Sequence, residues 1–231
     1  MAQGVVLEAR SLTLSWDGGK TIVAKDVSVS LHAGETVCLV GRSGCGKTTL
    51  LHALSGLTTP LAGSILVHGK DVTGTPGCVS YMLQKDLLLP NLSIIDNVCL
   101  PLTLAGTKRG QAHAQARPLF ERFGLEGTER SWPSELSGGM RQRAAFLRTY
   151  LMGNDIVLLD EPFSALDALT REDLRGWYKD TARELGIASL MITHDVGEAI
   201  AIADRVYALV GAPATAVEVA LDQAAIMEAL G

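Results

Sequence analysis

Apolar and polar positions change rhythm along this chain. Over the first 35 residues they alternate. "LTLSW" (Leu12 to Trp16) and "VSVSL" (Val27 to Leu31) put an apolar side chain at every second position. That period sets one face of a strand on a core and the other in water. "DGGK" (Asp17 to Lys20) between them is a turn signal. The segment predicts an antiparallel N-terminal sheet. From Thr36 the alternation gives way to unbroken apolar runs, "TVCLV", "DIVLL" and "ASLMI". Such runs suit parallel strands covered on both faces. Helical segments stand between them: "GKTTLLHALSG", stopping at Gly56, "MRQRAAFLRTYLMG", stopping at Gly153, and "LTREDLRGWYKDTARELG". Strand and helix in alternation predict an α/β fold.

Between Lys85 and Glu135 the texture differs. No buried-strand run occurs, and pieces such as "QAHAQARPLFERFGL" lie among glycines and prolines. This predicts a mostly helical insertion over 85–135. The tail after Gly211 is Ala-rich and reads as ending in a short helix.

Composition narrows the picture. At 231 residues, 47% of them hydrophobic, the chain can bury a sizeable core as a single domain, 1–231, with an inserted lobe. A net charge of -5 argues against nucleic acid as the main partner. Cys38, Cys45, Cys78 and Cys99 form no CxxC pair and no zinc spacing, so they read as reduced, small apolar residues. Glu8 and Arg10 interrupt the apolar N-terminal stretch, which therefore reads as no signal peptide. The uncharged apolar stretch Leu87 to Ile95 is too short to span a bilayer. Work at a membrane would need another protein as anchor.

The chemistry starts at "GRSGCGKTT". Gly41, Arg42, Ser43, Gly44, Cys45, Gly46, Lys47 and Thr48 fit G-x-x-x-x-G-K-[ST], with Thr49 following. The motif lies after an apolar strand and before a helix, the context a P-loop requires. Glycines let several backbone N–H groups face the phosphates, and the helix end adds its positive dipole. Lys47 is placed for the β- and γ-phosphates and the Thr48 hydroxyl for Mg²⁺. Cys45 reads as a small residue of the loop. Asp160 and Glu161 follow "DIVLL". The first fits assistance to the Mg²⁺ and the second a general base that polarises the attacking water. His194 follows "ASLMI", and Gln84 follows the shorter run "VSYML". All four segments end at one edge of the predicted sheet, where ligands of open α/β sheets bind.

A second Ser-Gly-Gly loop opens another helix at "ELSGGMRQR", with Ser137 as its N-cap candidate. By itself this is compatible with a plain capped helix. The ordered set of P-loop, Gln84, "LSGGM", "LLDEP", "SALD" and "ITHD", from about Leu7 to Val210, resembles the nucleotide-binding subunit of an ABC (ATP-binding cassette) transporter. The resemblance implies a P-loop NTPase with a parallel core sheet and an antiparallel β-subdomain, covering 1–84 and 136–231. It makes about 85–135 the helical subdomain. It also implies an ATPase that uses ATP and Mg²⁺ in a head-to-tail dimer, identical subunits being the simple case.

In such proteins each signature loop closes on the nucleotide held by the other subunit. Ser137, Gly138 and Gly139 would then contact the γ-phosphate in trans, and Asp167 of "SALD" would couple the two sites. Gln84 would contact the metal and water, His194 the γ-phosphate, and Trp16 would stack on adenine. Met140 stands where the family most often has Gln. A separate permease is implied, held at the cytoplasmic face of the membrane and docking near "YMLQKDLLLPNLSIIDNVCLPL". The Q-x-x-x-L-L-P spacing resembles the nitrate, sulfonate and taurine importer group, which adds a substrate-binding protein to the expected partners. The alternative is an ABC ATPase without transport, of the cell-division or metal-cluster type.

Overall fold

A computed structural model describes residues 4–231. Met1, Ala2 and Gln3, which begin the stretch read as no signal peptide, lie outside the described residues. The strands are β1 Val5–Ser15, β2 Ile22–His32, β3 Thr36–Gly41, β4 Ala62–Val67, β5 Lys70–Asp71, β6 Ser80–Met82, β7 Ile156–Asp160, β8 Ala188–Thr193, β9 Arg205–Gly211 and β10 Ala214–Val219. The helices are α1 Lys47–Leu54, α2 Ile94–Val98, α3 Leu100–Leu104, α4 Arg109–Arg122, α5 Gly138–Tyr150, α6 Ala168–Leu185, α7 Val196–Ile202 and α8 Gln223–Leu230.

Among the described residues all ten strands join one sheet in the order β5-β4-β1-β2-β10-β9-β3-β8-β7-β6. The N-terminal alternation becomes the antiparallel pair β1 and β2, with β4 antiparallel on the other side of β1. The unbroken runs become the parallel half: β3 pairs with β8 and β9, and β7 with β8 and β6. The two halves meet at β10, antiparallel to β9 and parallel to β2 at Ala214 opposite Ala24.

β9 and β10 are two strands beyond the sequence reading, whose short helix at the end of the tail is α8. "RVYALVG" is a core strand, and the start of the Ala-rich tail is a strand before it is a helix. Thr215, Val217 and Val219 suit a strand, and β9 supplies the ladder for β10. β4 and β5 form a further antiparallel hairpin that the reading did not resolve.

The continuous runs are explained by two covered faces. In β3 every residue is buried. Val37 and Leu39 pack into one apolar cluster with β1, β2 and α1, while Cys38 and Val40 pack into another with α2, α4, α5 and α6. β7 divides the same way, Ile156 and Leu158 against Val157 and Leu159. A strand buried on both sides cannot alternate, since each fully buried aliphatic side chain stabilises by about 1.5–3 kcal/mol. Burial also pushes the thiols of Cys38 and Cys99 up, the latter to about 11, so neither ionises readily.

Local signals set the helix ends. α1 stops before Gly56, at φ +75°, where a Cβ would meet the Thr75 carbonyl oxygen at 2.3 Å. α2 starts at Ser93, whose hydroxyl accepts from Asp96 N and donates to the Asp96 carboxylate. α2, α3 and α4 fill the stretch read as a helical insertion.

Candidate active site

The sheet brings the P-loop, the acidic pair and the His turn to one edge because β3, β7 and β8 are parallel neighbours. Gly41, Asp160 and Thr193 are their last residues. Beyond β3 the loop turns through Gly44 at φ +80° and Gly46 at φ +103°, conformations that suit glycine. α1 then begins at Lys47 with no side-chain cap on its first N–H groups. Those donors are left for a ligand. The Lys47 side chain is buried in the loop it closes, and its Nζ donates to the carbonyls of Gly41 (2.8 Å) and Arg42 (3.1 Å). Cys45 fills the loop: a Cβ at position 41 would meet its Sγ at 2.7 Å.

A cavity of about 470 Å³ opens over this loop, lined by Ser43, Gly44, Gly46, Lys47, Thr48 and Thr49. Trp16, 65% exposed, His52 and Glu161 complete the lining. Its donors and size fit a nucleoside triphosphate. An aromatic face on one side and unpaired helix N–H groups on the other match a base and a phosphate tail.

Asp160 is buried, and its Oδ2 accepts from the Tyr81 hydroxyl at 3.2 Å. Burial pushes its carboxyl up. The Tyr81 bond opposes that shift, the neighbouring Glu161 charge adds to it, and the Thr48 hydroxyl opposes it. A carboxylate that is costly to ionise, beside a threonine hydroxyl, fits a site that gains from a cation such as Mg²⁺. Glu161 has φ +43°, a strained conformation for a residue with a Cβ. Its N–H donates to Ile192 O at 3.0 Å, which ties it to β8. Its carboxylate lies 3.1 Å from His194 Nδ1 and accepts from Gln84 Nε2 at 3.4 Å. Gln84 also donates to the Ser164 hydroxyl (3.2 Å), which in turn donates to Glu161 O (2.9 Å). The segments after β6 and β8 therefore converge on one carboxylate at the end of β7.

The signature segment is placed apart from this cluster. Ser137, Gly138, Gly139 and Asp167 do not line the cavity over the P-loop. Ser137 is exposed and caps α5, its Oγ accepting from Met140 N at 3.3 Å. Asp167 caps α6 and accepts from Thr170 N at 3.0 Å, and the bonds from Thr170 hold its carboxyl below the usual range. The sequence reading missed His52, Tyr81 and Ser164. His52 sits in the cavity edge-to-face with Tyr81, ring centroids 5.9 Å apart. Nothing in their spacing marks them. "VSYML" predicts a strand ahead of Gln84, and a strand beside β7 puts the Tyr81 side chain next to Asp160.

The ABC transporter family pattern matches residues 24–164, more than half of the chain. The chain is 47% identical over 182 residues to the sulfate/thiosulfate import ATP-binding protein CysA 2 of Chromobacterium violaceum, covering 78% of this chain and 50% of that protein. It thus spans about half the length of that relative. It is 38% identical over 211 residues to the taurine import ATP-binding protein TauB of Pseudomonas aeruginosa, covering 91% of this chain and 80% of that one. A solved dimeric ATP-binding cassette in a post-hydrolysis state, bound to ADP and Pi, superposes with a TM-score of 0.78 at 25% identity, covering 94% of this chain and 99% of that one. By its ordered motifs, its fold and its relatives, this chain belongs to the ABC transporter family.

Proposed function

We propose that this chain is the ATP-binding subunit of an ABC importer, hydrolysing ATP in a head-to-tail dimer to drive a separate permease. The observation that carries the reading is the division of labour within one fold. Lys47, Thr48, Asp160, Glu161, Gln84 and His194 gather around the P-loop, while the second Ser-Gly-Gly helix end lies outside that cluster. Such a helix end has a use in a two-fold dimer, where it completes the site of a partner.

The geometry supports the following roles. The Gly44 and Gly46 backbone and Lys47 bind the β- and γ-phosphates, with Gly41, Ser43, Cys45 and Thr49 forming the loop. Trp16 stacks on the adenine. Thr48, Asp160 and Gln84 would hold Mg²⁺, which would supply charge neutralisation to the phosphates. Glu161 accepts the proton of the attacking water, Gln84 and His194 orient its carboxylate, and His194 also reaches the γ-phosphate. Ser137, Gly138 and Gly139 offer their N–H and hydroxyl groups to the partner's γ-phosphate, and Asp167 lies at the contact between subunits. The division into a core with β-subdomain (1–84, 136–231) and a helical subdomain (about 85–135) belongs to the same reading.

Among the described residues no helix is long and apolar enough to cross a membrane. A permease would hold the protein at the cytoplasmic face. The supporting surface is a groove of about 740 Å³ on the helical segment. It runs between Asn91–Asp96, Arg109 and His113 of α4, and the turn at Glu129–Trp132. The relatives' cargoes make a small anion or organic nutrient of the taurine, sulfonate or nitrate kind the expected class, delivered by a substrate-binding protein.

The test is Glu161→Gln. Hydrolysis should fall by about 10²-fold or more while ATP binding persists, so that ATP converts the variant to a dimer on size exclusion. Wild-type turnover in that variant would remove the general-base role. A monomer at saturating ATP would remove the dimer.

A further inference from the structure

The groups assigned to the partner's nucleotide and those assigned to the chain's own are linked within one chain. The start of α5 sits directly on the segment that carries Asp167. A Cβ on Gly138 would lie 3.0 Å from Leu166 Cδ2, and one on Gly139 2.9 Å from Thr170 Cγ2. Thr170 N is the donor that Asp167 caps. One residue further, Arg171 turns back and its Nη2 donates to Leu166 O at 2.8 Å. Its Nη1 lies 3.9 Å from Asp195 Oδ2. Asp195 follows His194, the residue that touches Glu161.

Arg171, Ser164, His194 and Asp195 line the same small cavity of about 20 Å³. The His194 turn is itself stiff on its C-terminal side. Asp195 Oδ1 accepts from Glu198 N at 3.0 Å, and Asp195 N donates to Thr193 Oγ1 at 3.0 Å. Arg171 is therefore the bridge between two braced segments. The bridge is adjustable, since its Nε is buried without a hydrogen-bond partner among the described residues and its ion pair to Asp195 is long. A guanidinium has five donors in a rigid fork, so it can hold two acceptors in fixed relation.

We propose that Arg171 is a positioning residue that couples the site a chain completes in its partner to the chain's own hydrolytic site. It does so by holding the Leu166 carbonyl and Asp195 at once. A partner nucleotide that draws in Ser137 and Asp167 shifts Leu166, and Arg171 passes that shift to Asp195. The His194 ring then moves against Glu161. This rests on the dimer reading above.

The test is steady-state ATP hydrolysis by the full chain, with its dependence on ATP concentration, for Arg171→Gln, Asp195→Asn and the double variant. Asn retains the helix cap at 195 and removes only the charge, which guards against a variant that fails to fold. The unmodified chain should show a Hill coefficient approaching about 2, the limit for two linked sites. Each single variant should bring it close to 1 and lower kcat about tenfold, with ATP affinity changed by no more than about twofold. The double variant should be no worse than Arg171→Gln, because both remove one bridge. Additive losses, retained cooperativity in Asp195→Asn, or an unmodified chain without cooperativity each overturn the proposal. ATP-driven dimerisation of Glu161→Gln reads the dimer separately: a dimer with unaffected Arg171 variants removes only the bridge, and no dimer removes both.

Discussion

The two Ser-Gly-rich helix ends, at Lys47 and at Gly138, are built from similar residues and differ in what surrounds them. α1 begins with no side-chain cap, under a cavity of about 470 Å³ walled by Trp16 and Glu161. α5 begins with its own cap, Ser137, and with Gly139 buried against Thr170. Each has the positive dipole end that suits an anion. Only the first has a buried lysine and an acidic pair brought to it by the sheet. A helix end is thus a complete site or half of one according to what the tertiary fold places around it.

The strongest way to break this comparison is to damage each end in a different molecule. Lys47→Ala removes the ammonium from the first loop. Gly139→Val puts a branched side chain where a single Cβ already approaches Thr170 to 2.9 Å, so the second loop must move. Each variant alone should lose about 10²–10³-fold in turnover, the range for removing a main charge-stabilising contact. Gly139→Val should still bind ATP, and Lys47→Ala should not. Mixing them should restore activity, because a mixed dimer contains one site with an intact Lys47 and an intact trans loop. A mixture no more active than its components would show that the two loops do not serve each other across subunits.

The first end was legible in the sequence because every part of it is local. Glycines, a lysine and a threonine at fixed spacing follow a run whose unbroken apolarity marks a doubly covered strand. Asp160, Glu161 and His194 were legible for the same reason, each sitting where such a run stops. Glu161 at φ +43° was not, since strain is set by contacts made elsewhere, here the N–H bond to Ile192 O on β8. Tyr81 and His52 meet across the gap between β6 and α1, a contact no spacing announces. β10 was hidden because it opens an Ala-rich tail that ends in a helix, although Thr215, Val217 and Val219 suit a strand and β9 supplies its ladder. The second end was legible only as a motif, since a capped helix start is commonplace. In the dimer reading its meaning depends on a second molecule.

A smaller effect sharpens the first half of the comparison. Trp16→Ala should weaken ATP binding about tenfold, within the 1–3 kcal/mol typical of base stacking on an aromatic ring. Nucleotide titration of the monomer reads it directly. Because the contact lies in the chain's own cavity, Glu161→Gln carrying this change should still dimerise once ATP is raised to saturation. Unchanged affinity would make Trp16 a strand-surface residue. Loss of the dimer at saturating ATP would place Trp16 at the contact between subunits.

The smallest effect concerns the segment between the two ends. Asp96 binds α2 to α4: it accepts from Ser93 Oγ (2.7 Å) and from Arg109 through Nε and Nη2 (2.8 and 2.7 Å), and lies 2.8 Å from His113 Nε2. The Arg109 guanidinium holds its carboxyl down to about 2, with Ser93 and His113 adding to the effect. A depressed carboxyl contributes stability that is present above the unfolded value, about 3.9, and is lost as pH falls through the folded value. Arg109 is exposed, so solvent screens the pair, and Asp96→Asn should cost about 1 kcal/mol at pH 7. The difference in urea midpoint should stay constant from pH 7 to about pH 4 and close below it. ATP affinity should be unchanged, because neither α2 nor α4 contributes to the lining of the P-loop cavity. Equal losses in stability and in ATP affinity would mean that the helical segment and the P-loop cavity are one cooperative unit, and that the first end is less self-contained than its surroundings suggest.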